Sequence, residues 1–229
     1  MTTTLRTGRP STRAESIRQI LAELQARQIF TVVGGPFVSV KESFFDDLCD
    51  VRFIGEAETT WPRFLEDFAS GRPIEARYEQ AAPTDMTKVP RPRYDHLKVD
   101  CYATGALQYS RGCPFECEFC DIIVIFGRKP RVKNPAQLVA ELDDMRQAGF
   151  HSVFIVDDNF IGNKKKAKAL LEILIPWMEE HHYPLRLTTE ASIDLANDPE
   201  LLDMMYRANF RSVFIGIETP RLDSLKETR

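Results

Sequence analysis

Strand-like runs of apolar and β-branched residues alternate with helical segments along this chain, and this alternation constrains its fold most. The runs in the C-terminal half are residues 105–110, 152–157, 185–190 and 212–218. Asn and Asp residues, which favour helix N-termini, precede the intervening helices, predicted to begin at Asn134-Pro135, Asn163 and Asp198-Pro199. Repeated strand–helix units form parallel sheets. Residues 105–229 are therefore predicted to form a partial (βα) barrel.

The N-terminal segment shows the same alternation over a shorter length. Predicted helices cover 12–27, 41–50 and 59–71, and predicted strands cover 29–35 and 51–56. Because the chain opens on a helix, residues 1–71 are predicted to be the C-terminal half of a Rossmann-like domain. Residues 72–104 contain four prolines and are predicted to be a linker. Residues 220–229 look like the start of a helix, so the sequence indicates truncation at both ends.

Composition excludes several classes of function. The 30 basic and 34 acidic side chains give a net charge of -4, which does not indicate a nucleic-acid surface or a polybasic membrane anchor. No window approaches the roughly 18 apolar residues of a membrane span, and no apolar leader is visible at the start. We therefore expect a cytoplasmic protein with no transmembrane segment. In a reducing compartment, clustered cysteines are typically ligands or redox groups.

Three of the five cysteines lie within the segment SRGCPFECEFCD, residues 110–121. Cys113, Cys117 and Cys120 have C-x3-C-x2-C spacing, whereas structural zinc usually takes four ligands and bacterial ferredoxin runs carry a fourth cysteine. Three thiolates could hold three irons of a four-iron cluster and leave the fourth open to a substrate. A zinc- or iron-binding module remains the alternative at this point.

This motif, placed just after the first strand of a βα array, resembles that of the radical S-adenosylmethionine (SAM) enzymes. The resemblance implies that Cys113, Cys117 and Cys120 ligate a [4Fe-4S] cluster. It also implies that the open iron binds the methionyl group of SAM and that one electron then cleaves the C–S bond. Phe119 is the aromatic residue that precedes the last cysteine of this motif, and we group it with the cofactor-binding residues.

Further segments are similar to one subgroup of these enzymes, which carries a cobalamin-binding domain and includes hopanoid methylases. They are TVVGGPFVSV (31–40), VRFIGEAETTWPRFLEDFASG (51–71), FIVDDNFIGNK (154–164) and VFIGIETP (213–220). The resemblance implies C-methylation of an unactivated carbon in a small molecule or lipid. The D-x-H-x-x-G loop that supplies the cobalt ligand is missing, since no histidine precedes His96. A truncated, non-catalytic fragment is the alternative function.

Polar residues follow the predicted strands at the edge where a βα barrel has its active face. Asp157, Asp158 and Asn159 follow the second strand, and the resemblance implies that this turn receives the methionyl ammonium group; helix capping is the alternative. Glu190 and Glu218 are predicted to end the third and fourth strands, where a carboxylate could contact the adenosyl ribose or the methionyl group; surface ion pairing is the alternative.

The segment after the cysteines is basic. It contains Arg128, Lys129, Arg131 and Lys133. Related enzymes receive electrons from acidic proteins such as flavodoxin or ferredoxin, and a basic collar would attract them. A solvated loop is the alternative interpretation.

Overall fold

The computed structural model describes residues 12–221 and divides into two compact units. The first unit extends to Thr84 and also includes Phe119–Asp121. The second consists of Asp85–Glu118 and the residues from Ile122 onward. The division therefore falls inside the range 72–104. The helix expected within 220–229 lies outside the described residues.

The first unit is a three-stranded parallel sheet with helices between its strands. Its elements are α1 (Thr12–Ala26), β1 (Val32–Val33), α2 (Pro36–Val40), β2 (Val51–Ile54), α3 (Thr60–Ser70) and β3 (Arg77–Glu79). The strand order is β1-β2-β3, with Val32 opposite Val51 and Phe53 opposite Tyr78. The α/β alternation predicted for this segment is confirmed.

Two details of the first unit differ from the sequence prediction. No α-helix forms over 41–50, because Pro36 begins a helix earlier and Lys41 leaves the helical region with φ −140° and ψ 57°. A single 3-10 turn, Glu42–Phe45, follows. Strand β3 was not predicted, since a three-residue strand shows too little alternation to be recognised.

Aromatic packing holds the first unit together on one side of its sheet. Phe53 stacks on Tyr78 with ring centroids 5.4 Å apart and meets Phe64 edge-on at 5.6 Å. These three side chains are buried together with Val51. Such aromatic pairs add roughly 0.5–1.5 kcal/mol each beyond the area they bury.

The second unit contains a parallel sheet and a separate two-stranded hairpin. Its elements are β4 (Gly105–Leu107), β5 (Ser110–Arg111), α4 (Ile122–Ile125), β6 (Arg131–Val132), α5 (Pro135–Ala148), β7 (Ser152–Ile155), α6 (Lys164–Glu180), β8 (Arg186–Glu190), α7 (Pro199–Arg207) and β9 (Phe210–Phe214). The parallel sheet has the order β4-β7-β8-β9. This arrangement confirms the predicted partial (βα) barrel.

Local capping signals set the helix boundaries of the second unit. The Oδ1 atoms of Asn134, Asn163 and Asp198 accept hydrogen bonds from backbone N–H groups in the first turns of α5, α6 and α7, at 2.8, 3.1 and 3.1 Å. The predicted caps are confirmed. Gly149 ends α5 with φ +97°, the left-handed conformation that favours glycine.

One face of the sheet packs against the helices and the other is open. Val153 and Ile155 of β7 are fully buried in a cluster with Leu170 and Leu174 of α6. Because side chains alternate along a strand, the intervening residues project from the opposite face. The hydrophobic core therefore covers one face of the parallel sheet, and the opposite face remains open. Among residues 12–221, no helix is long and apolar enough to cross a membrane.

Candidate active site

The cysteine motif lies in a loop that a short hairpin closes at its base. Strands β5 and β6 pair antiparallel, with Ser110 opposite Val132 and Arg111 opposite Arg131. We call the intervening residues, 112–130, the cysteine loop. Inside it, the backbone N–H of Cys113 donates to the carbonyl of Gly127 at 3.3 Å. The hairpin therefore sets where the loop begins and ends.

Gly112 opens the cysteine loop at a point of close backbone approach. It has φ +97°, and a Cβ there would lie 2.8 Å from the carbonyl oxygen of Gly127. A Cβ on Gly162, which follows β7, would lie 3.2 Å from Cδ of Pro114 and 3.3 Å from Cγ of Pro130. Glycine is needed at Gly112 for both conformation and space.

All five cysteines lie within residues 12–221, and none of them forms a disulfide. Cys113, Cys117 and Cys120 are half-buried, and Phe119 is exposed. Across the described part of the chain, no group of three or more His, Cys, Asp or Glu side chains is arranged to hold a metal ion. The three motif cysteines remain the ligand set predicted from the sequence, and three thiols on one loop are the donor chemistry that an iron–sulfur cluster requires.

Asp157 is buried beneath the start of the hairpin, with only 1% of its surface exposed. Its Oδ1 accepts hydrogen bonds from the backbone N–H of Tyr109 at 2.7 Å and of Ser110 at 2.9 Å. Its Oδ2 accepts from the Ser110 hydroxyl at 2.7 Å. Burial raises the pKa of the Asp157 carboxyl to about 7, although these three donors lower it.

The next two residues also contact neighbouring loops. Asp158 Oδ2 accepts from the backbone N–H of Gly112 at 3.1 Å, and burial raises the pKa of this carboxyl. Asn159 is buried, donates from Nδ2 to Ser192 Oγ at 3.0 Å and accepts from the Ser192 N–H at 3.3 Å. The turn after β7 therefore links the loops that follow β4 and β8.

A cleft of about 430 Å³ lies on the open face of the parallel sheet. Its lining residues are Thr104, Ser152, Phe154, Thr188, Glu190, Ser212, Val213 and Phe214. Glu190 ends β8 and is half-buried; burial, and then the charge of Asp158, raise the pKa of its carboxyl. An apolar cleft with hydroxyls and one carboxylate is typical of a small-molecule site.

Glu218 does not end a strand, so this placement from the sequence was wrong. Strand β9 stops at Phe214, and Glu218 lies four residues further on, exposed and with φ +63°. Its Oε1 lies 2.6 Å from where a Cβ on Gly216 would be. The backbone leaves the sheet early here, which removes Glu218 from the level of Glu190.

The basic segment is only partly a surface feature. Arg128 is exposed and pairs with Glu116, and Lys129 is exposed as well. Lys133, in contrast, is 3% exposed, and its Nζ contacts both carboxylate oxygens of buried Glu141 at 2.8 and 2.6 Å. The sequence grouping of Lys133 with the surface charges was therefore wrong.

Sequence reasoning missed two residues that shape this site. Ser110 contributes a hydroxyl and an N–H to Asp157, and Glu141 neutralises Lys133 from α5. Glu141 carried a signal, since it follows Leu138 by three residues and precedes Leu142 and Met145 on the buried face of α5. Ser110 had no comparable pattern around it.

Comparisons with known proteins identify the family of this chain and a solved structure with a similar fold. The sequence profile of the Radical SAM superfamily matches residues 107–229. An uncharacterised methyltransferase of Synechocystis sp. is 49% identical over 211 residues, which are 91% of this chain and 39% of that protein. The hopanoid C-2 methylase of Rhodopseudomonas palustris is 39% identical over 197 residues, or 85% of this chain and 37% of that protein.

A solved structure shares the fold of most of the chain. The radical SAM methyltransferase TsrM from Kitasatospora setae, with cobalamin and a [4Fe-4S] cluster bound, superposes with a TM-score of 0.74 at 18% identity. The likeness covers 93% of this chain and 46% of TsrM. This chain thus spans about two fifths of the length of the two curated relatives, at 39% and 37%. Because the family profile matches more than half of its residues, the chain belongs to the Radical SAM superfamily.

Proposed function

We propose that this chain is part of a radical SAM enzyme that reductively cleaves SAM at a [4Fe-4S] cluster and methylates an unactivated carbon. The observation that carries the proposal is the C-x3-C-x2-C motif on a hairpin loop at the carboxyl edge of a parallel sheet. The family match supports the cofactors, and the names of the two curated relatives support the methyl transfer.

Cys113, Cys117 and Cys120 would hold the cluster as thiolates. When bound, the cluster supplies an electron to SAM and an open iron to anchor it. The hairpin then has to bring the three thiols together, while Gly112 lets the loop pass close to its own exit. A reducing compartment such as the cytoplasm suits thiolate ligands.

The overall reaction balances with two molecules of SAM and two electrons. One C–H bond of the substrate becomes C–CH3, and the products are methionine, 5′-deoxyadenosine and S-adenosylhomocysteine. The hydrogen removed from the substrate ends on the 5′ carbon of 5′-deoxyadenosine. An external low-potential protein, such as flavodoxin or ferredoxin, supplies the electrons one at a time.

The cleft on the open sheet face would receive SAM and the substrate. Phe154 and Phe214 offer apolar surface, and Thr188 and Ser212 offer hydroxyls. Glu190 is positioned to accept hydrogen bonds from ribose or ammonium groups. A small apolar molecule or a lipid fits this lining, and the relative named hopanoid C-2 methylase supports a lipid.

The electron donor would dock beside the exposed part of the basic segment. Arg128 and Lys129 remain on the surface there after Lys133 is excluded. Because Arg128 is paired with Glu116, the net positive charge here is small, and the weak steering that it gives rises as the salt concentration falls.

Cobalamin is bound by TsrM, but this chain does not fit cobalamin held by a histidine. No histidine precedes His96 in the sequence, so the first unit cannot supply such a ligand to cobalt. We therefore assign no step of the reaction to cobalamin in this chain.

The proposal is tested by reconstituting the full chain anaerobically with iron and sulfide and adding SAM with dithionite. We expect about four irons per chain and release of 5′-deoxyadenosine. Cys117→Ala should abolish both, whereas Cys101→Ala, at an exposed cysteine outside the motif, should leave both unchanged.

Two results would contradict the proposal. Equal iron binding by Cys117→Ala and Cys101→Ala would show that the motif is not the ligand set. One tightly bound zinc with no iron uptake would favour the metal-binding module instead.

A further inference from the structure

We propose that Asp157 is a positioning residue that fixes the start of the cysteine loop through the backbone of Tyr109 and Ser110. This role differs from contact with the methionyl ammonium group. It rests on the proposed function for what the loop binds, but its geometry is independent of any ligand. Asp157, Tyr109 and Ser110 are all at most 3% exposed.

The chain leaves the parallel sheet just after β4. The last β4–β7 hydrogen bond joins the N–H of Val156 to the carbonyl of Leu107 at 2.8 Å. The chain then turns out of that sheet into β5, which belongs to the hairpin. The N–H groups of Tyr109 and Ser110 therefore lose their strand partners at a buried corner.

The Asp157 carboxylate replaces those partners. It takes both N–H groups on Oδ1, at 2.7 and 2.9 Å, and the Ser110 hydroxyl on Oδ2, at 2.7 Å. Buried backbone donors left without an acceptor are costly, so this side chain is what allows the turn. When the carboxyl is ionised, bonds of this kind are about twice as strong as neutral ones.

Asp158 extends the same arrangement by one residue. Its Oδ2 accepts the N–H of Gly112, the residue that precedes Cys113. The two consecutive acids thus take the N–H groups of residues 109, 110 and 112. The two acids that follow β7 therefore hold the backbone at three of the four residues before Cys113.

Asp157 has little hydrogen-bond acceptor capacity left for a ligand. A carboxylate offers about four acceptor positions, and three are already used within the chain. The side chain is also 99% buried, since only 1% of its surface is exposed. A ligand ammonium would have to displace the hairpin to reach it.

Amide hydrogen exchange of the chain without a cluster tests this role directly. Asp157→Asn keeps the shape but replaces one acceptor oxygen with an NH2 group. At a pH well above the pKa of the Asp157 carboxyl, we expect the amides of Tyr109 and Ser110 to exchange at least about ten-fold faster in the variant, because the carboxylate acceptor is lost. The control is Thr189→Val, which removes a buried hydrogen bond of 3.0 Å from Thr189 to the carbonyl of Ile155 in the parallel sheet. It should leave the exchange rates of residues 109–112 unchanged.

Iron content and SAM affinity then distinguish a positioning role of Asp157 from direct contact with SAM. After reconstitution, Asp157→Asn should hold several-fold less iron than wild type, while the loaded fraction binds SAM with a Kd within about two-fold of wild type. Full iron loading with weakened SAM binding and unchanged exchange at residues 109–110 would overturn the proposal.

A milder variant covers the case in which Asp157→Asn does not fold. Ser110→Ala removes only the hydroxyl bond to Oδ2 and should shift exchange and iron loading in the same direction by a smaller factor. Unchanged values for both would also overturn the proposal. If wild type binds no iron, the proposed function fails, and the exchange measurement alone decides the role of Asp157.

Discussion

The ion pair between Lys133 and Glu141 is buried, although the sequence around Lys133 suggests a surface charge. Lys133 follows a run of basic residues and lies next to β6, yet it is enclosed with Glu141 of α5. Breaking a buried pair leaves an uncompensated charge, whereas replacing both partners with apolar groups is often neutral. The Lys133–Glu141 pair therefore holds the end of β6, the second strand of the hairpin, to α5.

Lys133→Met should lower the free energy of unfolding by about 3–5 kcal/mol, because Glu141 is then left buried without its counter-ion. Adding Glu141→Leu should recover most of that loss. Urea denaturation of the single and double variants measures both. Lys129→Met, at an exposed lysine, is the control and should change stability by less than about 0.5 kcal/mol.

The outcome that contradicts this interpretation is a double variant as unstable as Lys133→Met. It would mean that the Lys133 side chain stabilises the fold by packing and not by charge compensation.

Glu190 and Glu218 are two carboxylates that the structure places in different surroundings. Glu190 lines the cleft, and Glu218 is exposed beyond the end of β9. Glu190→Gln should weaken SAM binding about ten-fold without changing iron content, since a hydrogen bond to a charged group contributes 1.5–3 kcal/mol. Equilibrium dialysis against SAM measures this.

Glu218→Gln is the matched control and should bind SAM as wild type does. If both variants bind SAM normally, the cleft carboxylate has no role in holding it. If only Glu218→Gln is impaired, the site lies beyond β9 instead of at the end of β8.

Helices and long strands of this fold follow from local sequence signals, and its shortest elements do not. The caps Asn134, Asn163 and Asp198 identify three helix starts, because a side-chain acceptor next to a helix acts within a few residues. Strands of two or three residues, such as β3, β5 and β6, carry no periodicity. Their pairing depends on distant partners, so the hairpin that closes the cysteine loop could not be predicted.

Two glycines with the same φ angle distinguish the cost of backbone strain from the cost of a steric clash. Gly112 and Gly149 both have φ +97°, but a Cβ at Gly149 meets nothing within 4 Å, whereas one at Gly112 lies 2.8 Å from the Gly127 carbonyl. Gly149→Ala should cost about 1 kcal/mol of stability and leave iron loading intact. Gly112→Ala should also reduce iron loading several-fold, because the loop must shift.

Iron analysis after reconstitution, with thermal unfolding of both variants, checks this prediction. Equal iron content in the two alanine variants would show that the close approach of Gly112 and Gly127 is not needed to form the cluster site.

For the chain as a whole, the sequence predicted the repeated βα pattern and contained the C-x3-C-x2-C motif after its first strand. The order β4-β7-β8-β9 follows the chain, as successive strand–helix units do in a βα barrel. The site was less predictable, since Asp157, expected to contact a ligand, is enclosed by the chain itself. The cysteine ligand set could be predicted because ligands on one loop must be close in sequence, whereas the burial of Asp157 depends on the whole fold.

The proposed function depends on three cysteines that hold a cluster whose open iron binds SAM. Electron paramagnetic resonance of the reduced, reconstituted chain, with and without SAM, tests it most directly. We expect a cluster signal that changes on addition of SAM and is missing in Cys117→Ala. A signal indifferent to SAM, or one that persists in Cys117→Ala, would contradict the account.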